Sequence, residues 1–220
     1  MINIRSLSKR YEMGNNIVAA LDDVSLDIQG GALVSVTGAS GSGKTTLMNI
    51  LGCLDSPTEG KYILDGEDVS RMSRRRLAAI RNRKIGFIFQ GFNLIPTLTA
   101  RENVLLPLIY RKTSVRVRER LADEALEIVG LAHRASHKPS ELSGGQQQRV
   151  AIARAIAAKP PLILADEPCG SLDSRSGADI MNTLRELNSA GRTVVLITHD
   201  ENAAKAANQV IKISDGKIVV

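Results

Sequence analysis

The sequence predicts an α/β fold in which a mostly parallel sheet carries a mostly helical insertion. Short apolar runs alternate with helical patterns along the 220-residue chain. The runs at residues 162–165 and 194–198 are almost continuously apolar, which is typical of parallel strands covered on both faces. Residues 97–158 have mainly helical character, with charged and apolar residues at helical spacing over 116–129. The length suits one sizeable domain with a proper core.

The elements follow in chain order. The first five residues alternate apolar and polar side chains as a strand does. A strand at residues 33–36 runs into a glycine-rich loop, and a helix continues over 45–51. Residues 60–64 and the turn residues Asp65-Gly66 predict a hairpin arm. Another strand lies at 85–89, and Pro160-Pro161 ends the helical region before the strand at 162–165.

Composition places the chain among ordinary globular proteins. Hydrophobic residues make up 43% and charged residues 24%. No apolar run approaches the length needed to cross a bilayer, and the N-terminal residues lack the apolar core of an export signal. Any work at a membrane therefore needs a spanning segment from elsewhere. The two cysteines, Cys53 and Cys169, are expected to be free thiols in a reducing cytosol.

The net charge of +6 comes largely from two basic clusters, at residues 71–84 and 111–120. Such clusters can bind nucleic acid or anionic lipid headgroups, or can simply form a solvated face. No aromatic residue interleaves the basic positions, which weakens a single-strand-binding interpretation. The sequence favours a solvated face first and a cytoplasmic membrane surface second.

A phosphate-binding loop follows the strand at 33–36. Its pattern is G-x-x-x-x-G-K-[ST], placed after a strand and before a helix, which is the context that confirms the motif. Its residues are Gly38, Ala39, Ser40, Gly41, Ser42, Gly43, Lys44 and Thr45, with Thr46 next in the helix. Backbone N–H groups would surround the phosphates, Lys44 would reach the β- and γ-phosphates, and the Thr45 hydroxyl would face Mg²⁺.

Polar residues at three other strand ends suit the chemistry of hydrolysis. Asp166 and Glu167 end the strand at 162–165, where open α/β sheets hold ligands and metals. Asp166 would help to hold Mg²⁺, and Glu167 would reach a water beyond the γ-phosphate. Gln90 could offer its amide oxygen to Mg²⁺, and His199 could contact the γ-phosphate or the attacking water. Taken alone, a strand ending in Asp-Glu is a common structural cap, and a histidine at a strand end is usually a turn residue.

A second anion-binding element lies far from the phosphate loop in the sequence. Ser143 suits a helix N-cap, and Gly144 and Gly145 before Gln146 expose backbone N–H groups that suit an anion. A nucleotide has a single phosphate tail. Two such helix ends in one chain therefore suggest that each nucleotide is shared between two chains.

Taken together, these motifs resemble those of an ATP-binding cassette ATPase over essentially the whole chain. The order is the phosphate loop, the glutamine loop at Gln90, the Leu-Ser-Gly-Gly-Gln signature at 142–146, the acidic strand end, the Asp loop with Asp173, and His199. Tyr11 falls where the family has its adenine-stacking aromatic residue. The resemblance implies a P-loop ATPase core with a parallel sheet, an N-terminal antiparallel β arm and an inserted helical subdomain.

Within the family, three segments resemble the macrolide-export and lipoprotein-release branch. They are residues 51–60, residues 90–94, and residues 98–104 followed by Leu106-Pro107-Leu108. Cys169 is a departure, because this branch usually has threonine there. The resemblance implies a single nucleotide-binding domain, with the core and β arm at about 1–95 and 159–220 and the helical signature subdomain at about 96–158.

The resemblance also implies a mechanism and partners. Two chains would close head to tail on two ATP molecules, with the phosphate loop of one and the signature of the other around each ATP. Hydrolysis, with Glu167 and His199 as catalytic residues, would reopen the pair and drive a transmembrane permease protein or fused membrane domain. The chain would then lie peripherally on the cytoplasmic face of the inner membrane. Phe92, Leu94, Ile95, Pro96 and Leu98 would help to dock the membrane partner, or would only anchor their loop.

Other functions within reach of these motifs fit less well. DNA-repair and chromosome-maintenance ATPases place a very long coiled coil between the phosphate loop and the signature, and the stretch here is short. Translation-associated relatives carry two cassettes in one chain. The retained Glu167 and His199 give a non-hydrolysing module no support, and no nucleic-acid partner is expected. The alternative that remains is a cassette ATPase of another membrane machine, such as an uptake permease or the cell-division complex.

Overall fold

The computed structural model describes residues 1–14, 16–199, 204 and 207–219. Within those residues, no helix has the length and apolarity to cross a bilayer. Contacts divide the chain into two compact units. One is Met1–Arg81 with Thr193–Val220, and the other is Asn82–Arg192.

The strands are β1 Ile2–Met13, β2 Asn16–Ile28, β3 Leu33–Thr37, β4 Glu59–Leu64, β5 Glu67–Asp68, β6 Ile85–Ile88, β7 Leu162–Asp166, β8 Thr193–Ile197, β9 Gln209–Ser214 and β10 Lys217–Val219. The helices are α1 Lys44–Leu51, α2 Arg74–Lys84, α3 Ala100–Tyr110, α4 Val115–Ile128, α5 Gly144–Ile156 and α6 Ser174–Ser189.

The first unit begins with an antiparallel sheet in the order β2-β1-β4-β5. Ile2 pairs with Ile28 on one side and with Leu64 on the other. Ile2, Ile4 and Leu64 are almost fully buried, as the alternating pattern of the first residues requires. This sheet is the predicted N-terminal β arm, and the predicted hairpin at Asp65-Gly66 joins β4 to β5.

The first unit also holds parallel strands. β3 lies between β8 and β9 and runs parallel to both, while β10 pairs antiparallel with β9. All five residues of β8 are buried, and four of the five in β3 are. Continuous burial is the reason that β8 is almost continuously apolar and does not alternate, and Ser35 is the one polar residue among the buried positions of β3.

In the second unit, the parallel pair β6 and β7 is accompanied by four helices. α5 packs against α3, α4, α6 and β6. Its buried positions include Val150, Ala151, Ile152 and Ala153, which together cover more than one face of the helix. Two short 3₁₀ turns, at Ala132–Arg134 and Pro139–Glu141, connect α4 to α5. The predicted helical region at 97–158 is confirmed as α3, α4 and α5.

Helix α2 was not predicted, because its sequence gives almost no apolar signal. It buries only Leu77 and Ile80, one turn apart, among basic residues. Arg74, Arg75 and Arg76 are exposed, as a solvated face requires. In the second basic cluster, Arg111 is half-buried and its guanidinium is hydrogen-bonded, donating to the carbonyl oxygens of Ala158, Asn82 and Arg83 at 2.6–3.0 Å.

Candidate nucleotide site

The predicted phosphate loop joins β3 to α1 in the first unit. Gly43 caps α1 with φ +106°, and a Cβ there would lie 2.5 Å from the carbonyl oxygen of Ala20. A Cβ at Gly38 would lie 2.3 Å from the carbonyl oxygen of Ile213. Only glycine fits at these two positions, and the loop backbone is thereby held close to its neighbours. The first turn of α1 points its amide groups toward the loop, as phosphate binding needs.

Two side chains of the loop have geometry that suits an anion. The Lys44 ammonium donates to the carbonyl oxygens of Gly38 and Ala39, at 2.7 and 2.6 Å. The Lys44 charge therefore lies over the mouth of the loop. The hydroxyl of Ser42 is buried and has no hydrogen-bond partner among the described residues. A buried hydroxyl of that kind is stabilised when a ligand supplies the missing bond.

His199 reaches the same edge of the first unit as the phosphate loop. Val36 of β3 and Ile197 of β8 are paired in parallel register. Two residues further along each strand, Gly38 and His199 therefore leave the sheet at the same level. Thr198 reinforces this placement by donating its N–H to the Val36 carbonyl oxygen at 3.2 Å.

Tyr11 lies on β1 beside α1. Its hydroxyl donates to a carboxylate oxygen of Asp55 at 2.9 Å. Burial raises the pKa of Tyr11, and the Asp55 hydrogen bond raises it further. The Lys9 ammonium pairs with Asp55 at 2.8 Å and lies 4.9 Å from the centre of the Tyr11 ring. These contacts fix the ring orientation next to the phosphate-loop helix, and its stacking on adenine stays a prediction.

The second unit brings Gln90 and the acidic strand end together. Ile88 of β6 pairs with Ala165 of β7, so Gln90 and Glu167 each lie two residues past a paired position. Asp166 is the last residue of β7 and is half-buried. The loop after Glu167 packs on Gln90, because a Cβ on Gly170 would lie 2.9 Å from the Gln90 amide nitrogen. The Ser171 hydroxyl also donates to the Gln90 carbonyl oxygen at 3.3 Å.

Glu167 has a strained backbone. Its φ is +45°, a left-handed conformation that residues with a side chain rarely adopt. The Glu167 carbonyl oxygen accepts the N–H of Gly170 at 3.0 Å, which closes a tight turn after β7. Such strain persists only where the surroundings hold it, and it concentrates at functional sites.

The signature forms the start of α5. The Ser143 hydroxyl accepts the N–H of Gln146 at 3.3 Å, and the Gln146 side chain accepts the N–H of Ser143 at 3.0 Å. This reciprocal capping confirms the predicted N-cap. Gly144 and Gly145 occupy the first two helical positions, where a helix offers no internal acceptor for N–H groups. The signature therefore presents two amides and a partial positive charge.

The Asp loop packs directly on the signature. Asp173 caps α6 by accepting the N–H of Ser176 at 2.9 Å, and the Ser176 hydroxyl donates to the other Asp173 oxygen at 2.7 Å. These bonds hold the pKa of Asp173 below its usual range, the backbone bond from Ser176 being the larger cause. A Cβ on Gly145 would lie 2.8 Å from the Ser176 hydroxyl. The absence of a side chain at Gly145 therefore lets the two helix starts lie close together without a shift of Ser176.

A cavity of about 220 Å³ lies beside this junction, within the second unit. It is lined by Ser143, Gly145 and Gln146 of the signature, by Arg149 and Ser176, and by Gly130, Leu131 and His133 of the loop after α4. Arg149 is held by a 2.6 Å salt bridge to Asp179 of α6. The signature amides therefore border an open space with basic residues on its wall.

Three polar residues with a part in the site region were not identified from the sequence. Asn103, fully buried on α3, holds the loop after Gln90 through the backbone of Ile95, Leu98 and Thr99. Gln148, fully buried on α5, donates to the Pro168 carbonyl oxygen at 2.7 Å. Arg154 donates to the backbone of residues 92 and 93. Each is a polar residue on a helix face that is otherwise apolar. A polar residue at such a position is the signal by which the sequence could have identified them.

Comparisons with known proteins agree with this geometry. The family model described as ABC transporter matches residues 21–170, more than half of the chain. The ABC transporter ATP-binding protein YknY of Bacillus subtilis is 51% identical over the whole chain and 95% of its own length. The macrolide export ATP-binding/permease protein MacB of Brucella melitensis is 50% identical over the whole chain, which spans 34% of that protein.

Solved structures give the same result for the fold. The ATP-binding cassette MJ0796, in a dimeric post-hydrolysis state bound to ADP and Pi, superposes with a TM-score of 0.92. That superposition covers all of this chain and 97% of the MJ0796 chain, at 48% identity. The α/β fold with parallel strands, an antiparallel arm and a helical insertion is thereby confirmed.

Proposed function

The chain belongs to the ABC transporter family, and we propose that it is the ATP-hydrolysing subunit or domain of a transporter in the macrolide-export and lipoprotein-release branch. One observation carries this proposal. A phosphate loop and a signature helix start are both present in one chain, and each presents amides suited to a phosphate. The subdivision into a core and a helical subdomain at about 96–158 belongs to the same proposal.

ATP binding begins at the phosphate loop. The amides around Gly38 to Gly43 and the start of α1 bind the phosphates, and Lys44 moves from its two loop carbonyls to the β- and γ-phosphates. Ser42 supplies a further hydroxyl at the floor of the loop. Tyr11, held by Asp55, stacks on the adenine.

The donors proposed for magnesium have oxygen atoms of the types that this ion takes. Thr45 is exposed in the first turn of α1, while Gln90 follows β6 and Asp166 ends the neighbouring parallel strand β7. Hydroxyl, amide and carboxylate oxygens are the ligands Mg²⁺ takes, together with substrate phosphates. No group of three His, Cys, Asp or Glu residues in the described parts of the chain is placed to hold a metal. Thr45, Gln90 and Asp166 would hold Mg²⁺, which neutralises charge on the phosphate oxygens.

The residues that follow the strand ends carry out hydrolysis. The Glu167 carboxylate accepts a proton from the attacking water, and the turn at Gly170 holds its backbone in place. His199, at the same strand level as Gly38, contacts the γ-phosphate or that water. Because the charge that develops lies on the phosphate oxygens, Lys44 and the loop amides stabilise the transition state.

The signature completes the site of a second chain. Ser143 and the amides of Gly144 and Gly145 contact the γ-phosphate end of ATP held by the partner's phosphate loop, and Gln146 keeps that helix start capped. Asp173 lies at the same junction. The dimeric state of MJ0796 with ADP and Pi supports this arrangement. Dimerisation then depends on the γ-phosphate, and hydrolysis separates the pair.

The motion acts on a transmembrane permease protein or a fused membrane domain, at the cytoplasmic face of the inner membrane. The combined ATP-binding and permease chain of MacB supports such a partner. Ile95 is 41% exposed and Pro96 is exposed, while Phe92, Leu94 and Leu98 are half-buried. Ile95 and Pro96 therefore form most of the docking surface, and the three half-buried residues anchor the loop.

Sedimentation of the Glu167→Gln variant tests the proposal. The isolated chain is expected to be monomeric without nucleotide or with ADP and dimeric with ATP, because binding persists while hydrolysis stalls. Ser143→Arg in the same background should abolish that dimer and leave ATP binding by the monomer intact. Lys61→Ala, an exposed lysine of the β arm, serves as a control that keeps the dimer. A mass that stays constant with every nucleotide would overturn the proposal.

A further inference from the structure

Arg154 connects α5 to the loop that follows Gln90. Its guanidinium donates to the carbonyl oxygen of Phe92 at 2.7 Å and to that of Asn93 at 2.5 Å. No acidic side chain in the described regions forms a salt bridge with it. Burial lowers the pKa of Arg154. Arg154 is half-buried, and partial removal of an arginine from water is costly unless its guanidinium is hydrogen-bonded, so the two bonds that it makes are significant.

The carbonyls that Arg154 binds belong to a strained turn. Phe92 has φ +58° and Asn93 has φ +50°, two successive residues in the left-handed conformation. Asparagine tolerates this conformation, whereas an aromatic residue rarely adopts it. A turn of this kind persists only when the surrounding structure holds it. Arg154 is positioned to do so, because its planar guanidinium binds both carbonyls at once.

The strained turn places the Phe92 ring at the signature. A Cβ on Gly144 would lie 3.8 Å from the tip of the Phe92 ring and 3.6 Å from Leu172 of the Asp loop. At the other end of the same short segment, the Gln90 carbonyl accepts the Ser171 hydroxyl. The segment 90–93 therefore lies close to the signature and is hydrogen-bonded to the Asp loop, and Arg154 holds the end nearest the signature.

We propose that Arg154 is a positioning residue that couples the Gln90 loop to the signature. By holding the Phe92–Asn93 turn, it keeps the ring of Phe92 against the start of α5. The amides of Gly144 and Gly145 then keep the orientation needed for ATP on a partner chain. The inference rests on the proposed contact between the signature and a partner's ATP.

Arg154→Met in the Glu167→Gln background tests this role. Methionine keeps much of the apolar stem and removes both hydrogen bonds. The ATP-dependent dimer should weaken by roughly 10- to 100-fold, the size of losing charge-assisted bonds. ATP affinity of the monomer should stay within about twofold, since the phosphate loop is untouched. Arg154→Lys should have an intermediate effect, because one ammonium cannot hold both carbonyls in the same way.

Arg111→Met is the matched control. Arg111 also donates to three backbone carbonyls of the second unit, and none of them belongs to the nucleotide site. It should lower thermal stability without weakening the ATP-dependent dimer. Asn93→Gly should partly restore the dimer of Arg154→Met, because glycine adopts positive φ without strain. Loss of packing alone would not be repaired by that change.

A single tryptophan gives a readout that does not need the dimer. The chain contains no tryptophan, so Phe92→Trp reports on that ring position alone. Arg154→Met should shift its emission to the red and increase its quenching by acrylamide, and Arg111→Met should not. The inference is overturned if Arg154→Met leaves both the emission and the dimer unchanged, or if Arg111→Met alters them equally. If the parent fails to dimerise with ATP, the proposed function fails, and the tryptophan signal still decides whether Arg154 positions the ring.

Discussion

At the scale of single residues, the site combines strained backbone with partners that hold it. Glu167 has φ +45° and lies in a turn closed by Gly170. The side chain that is to activate water thus projects from a fixed point past the end of β7, rather than from a relaxed loop. A preorganised carboxylate loses little freedom when the substrate arrives.

Glu167→Gln should keep ATP binding and lower the turnover number by about 10²–10⁴-fold, the range for loss of a general base. Glutamine has the same length and tolerates the left-handed conformation no worse than glutamate. Its unfolding midpoint should therefore match that of the parent. Steady-state phosphate release and ATP titration measure the two effects. Near-normal turnover would remove Glu167 from the role.

Cys53 should be chemically inert in the native chain. Burial raises its pKa to about 11, and the side chain is 2% exposed. The thiolate, which is the reactive form, is scarce at pH 8. Iodoacetamide should label Cys53 only after denaturation, as followed by peptide mass spectrometry. Rapid labelling of the native chain at this residue would contradict the burial.

The same shift predicts a dependence of stability on pH. The folded state keeps the Cys53 proton to a higher pH than the unfolded chain, whose ordinary value is 9.0. The contribution of Cys53 to the free energy of unfolding is therefore complete below pH 9, and it is lost as the pH rises through about 11. Cys53→Ala should flatten the alkaline fall of the unfolding free energy in urea titrations. An unchanged slope would show that other groups cause it.

At the scale of elements, the buried side-chain amide of Asn103 holds the loop between β6 and α3 in place. Asn103 has no exposed surface. Its side-chain oxygen accepts the backbone N–H of Ile95, and its side-chain nitrogen donates to the backbone carbonyl oxygen of Ile95. The same amide reaches the carbonyl oxygens of Leu98 and Thr99. Thr99 also caps α3 with Glu102. Ile95 and Pro96 are thus exposed on a rigid support, as a docking surface needs.

Asn103→Ala should lower the unfolding free energy by roughly 2–4 kcal/mol, because several buried groups lose their partner together. Asn82→Ala, which removes one bond to the Pro107 carbonyl oxygen, should cost about 1 kcal/mol. Urea unfolding followed by circular dichroism measures both. Equal losses in the two variants would show that the Asn103 bonds add nothing to the support of the loop.

At the scale of the whole molecule, we propose that a chain with both a phosphate loop and a signature has an active unit of two copies. A head-to-tail pair contains two sites, and each takes its parts from both chains. Consider a pair in which one chain has a damaged phosphate loop and the other has a damaged signature. Both defects then lie in the same one of the two sites. The second site of such a mixed pair stays intact.

Mixing Lys44→Ala chains with Ser143→Arg chains should therefore restore activity that neither variant has alone. With random pairing, half of the pairs are mixed and each has one intact site of two, so about a quarter of the wild-type sites return. Phosphate release from the mixture, against each variant at the same total concentration, is the measurement. A mixture no more active than its parts would mean that the sites are not shared.

The order and chemistry of the motifs were determined by the sequence alone. The glycines of the phosphate loop, the apolar strands and the capping Ser143 each act over a few residues, so local pattern predicts them. The strands predicted at 33–36, 60–64, 85–89, 162–165 and 194–198 lie within about a residue of the observed bounds. The first strand continues to Met13, well past the five residues predicted for it, and β2, β9 and β10 were not predicted. Helical spacing predicted the helical insertion, whereas the antiparallel arm was implied by the family resemblance.

What only the tertiary structure decided is how distant residues meet. The register of β6 on β7 sets Gln90 level with Glu167, and that of β3 on β8 sets Gly38 level with His199. Asn103 and Arg154 acquire their roles from carbonyls of a loop outside their own helices. α2 is a helix although only Leu77 and Ile80 are buried. Such contacts join positions far apart in the chain, and hydrophobic periodicity carries information only about neighbours along one element.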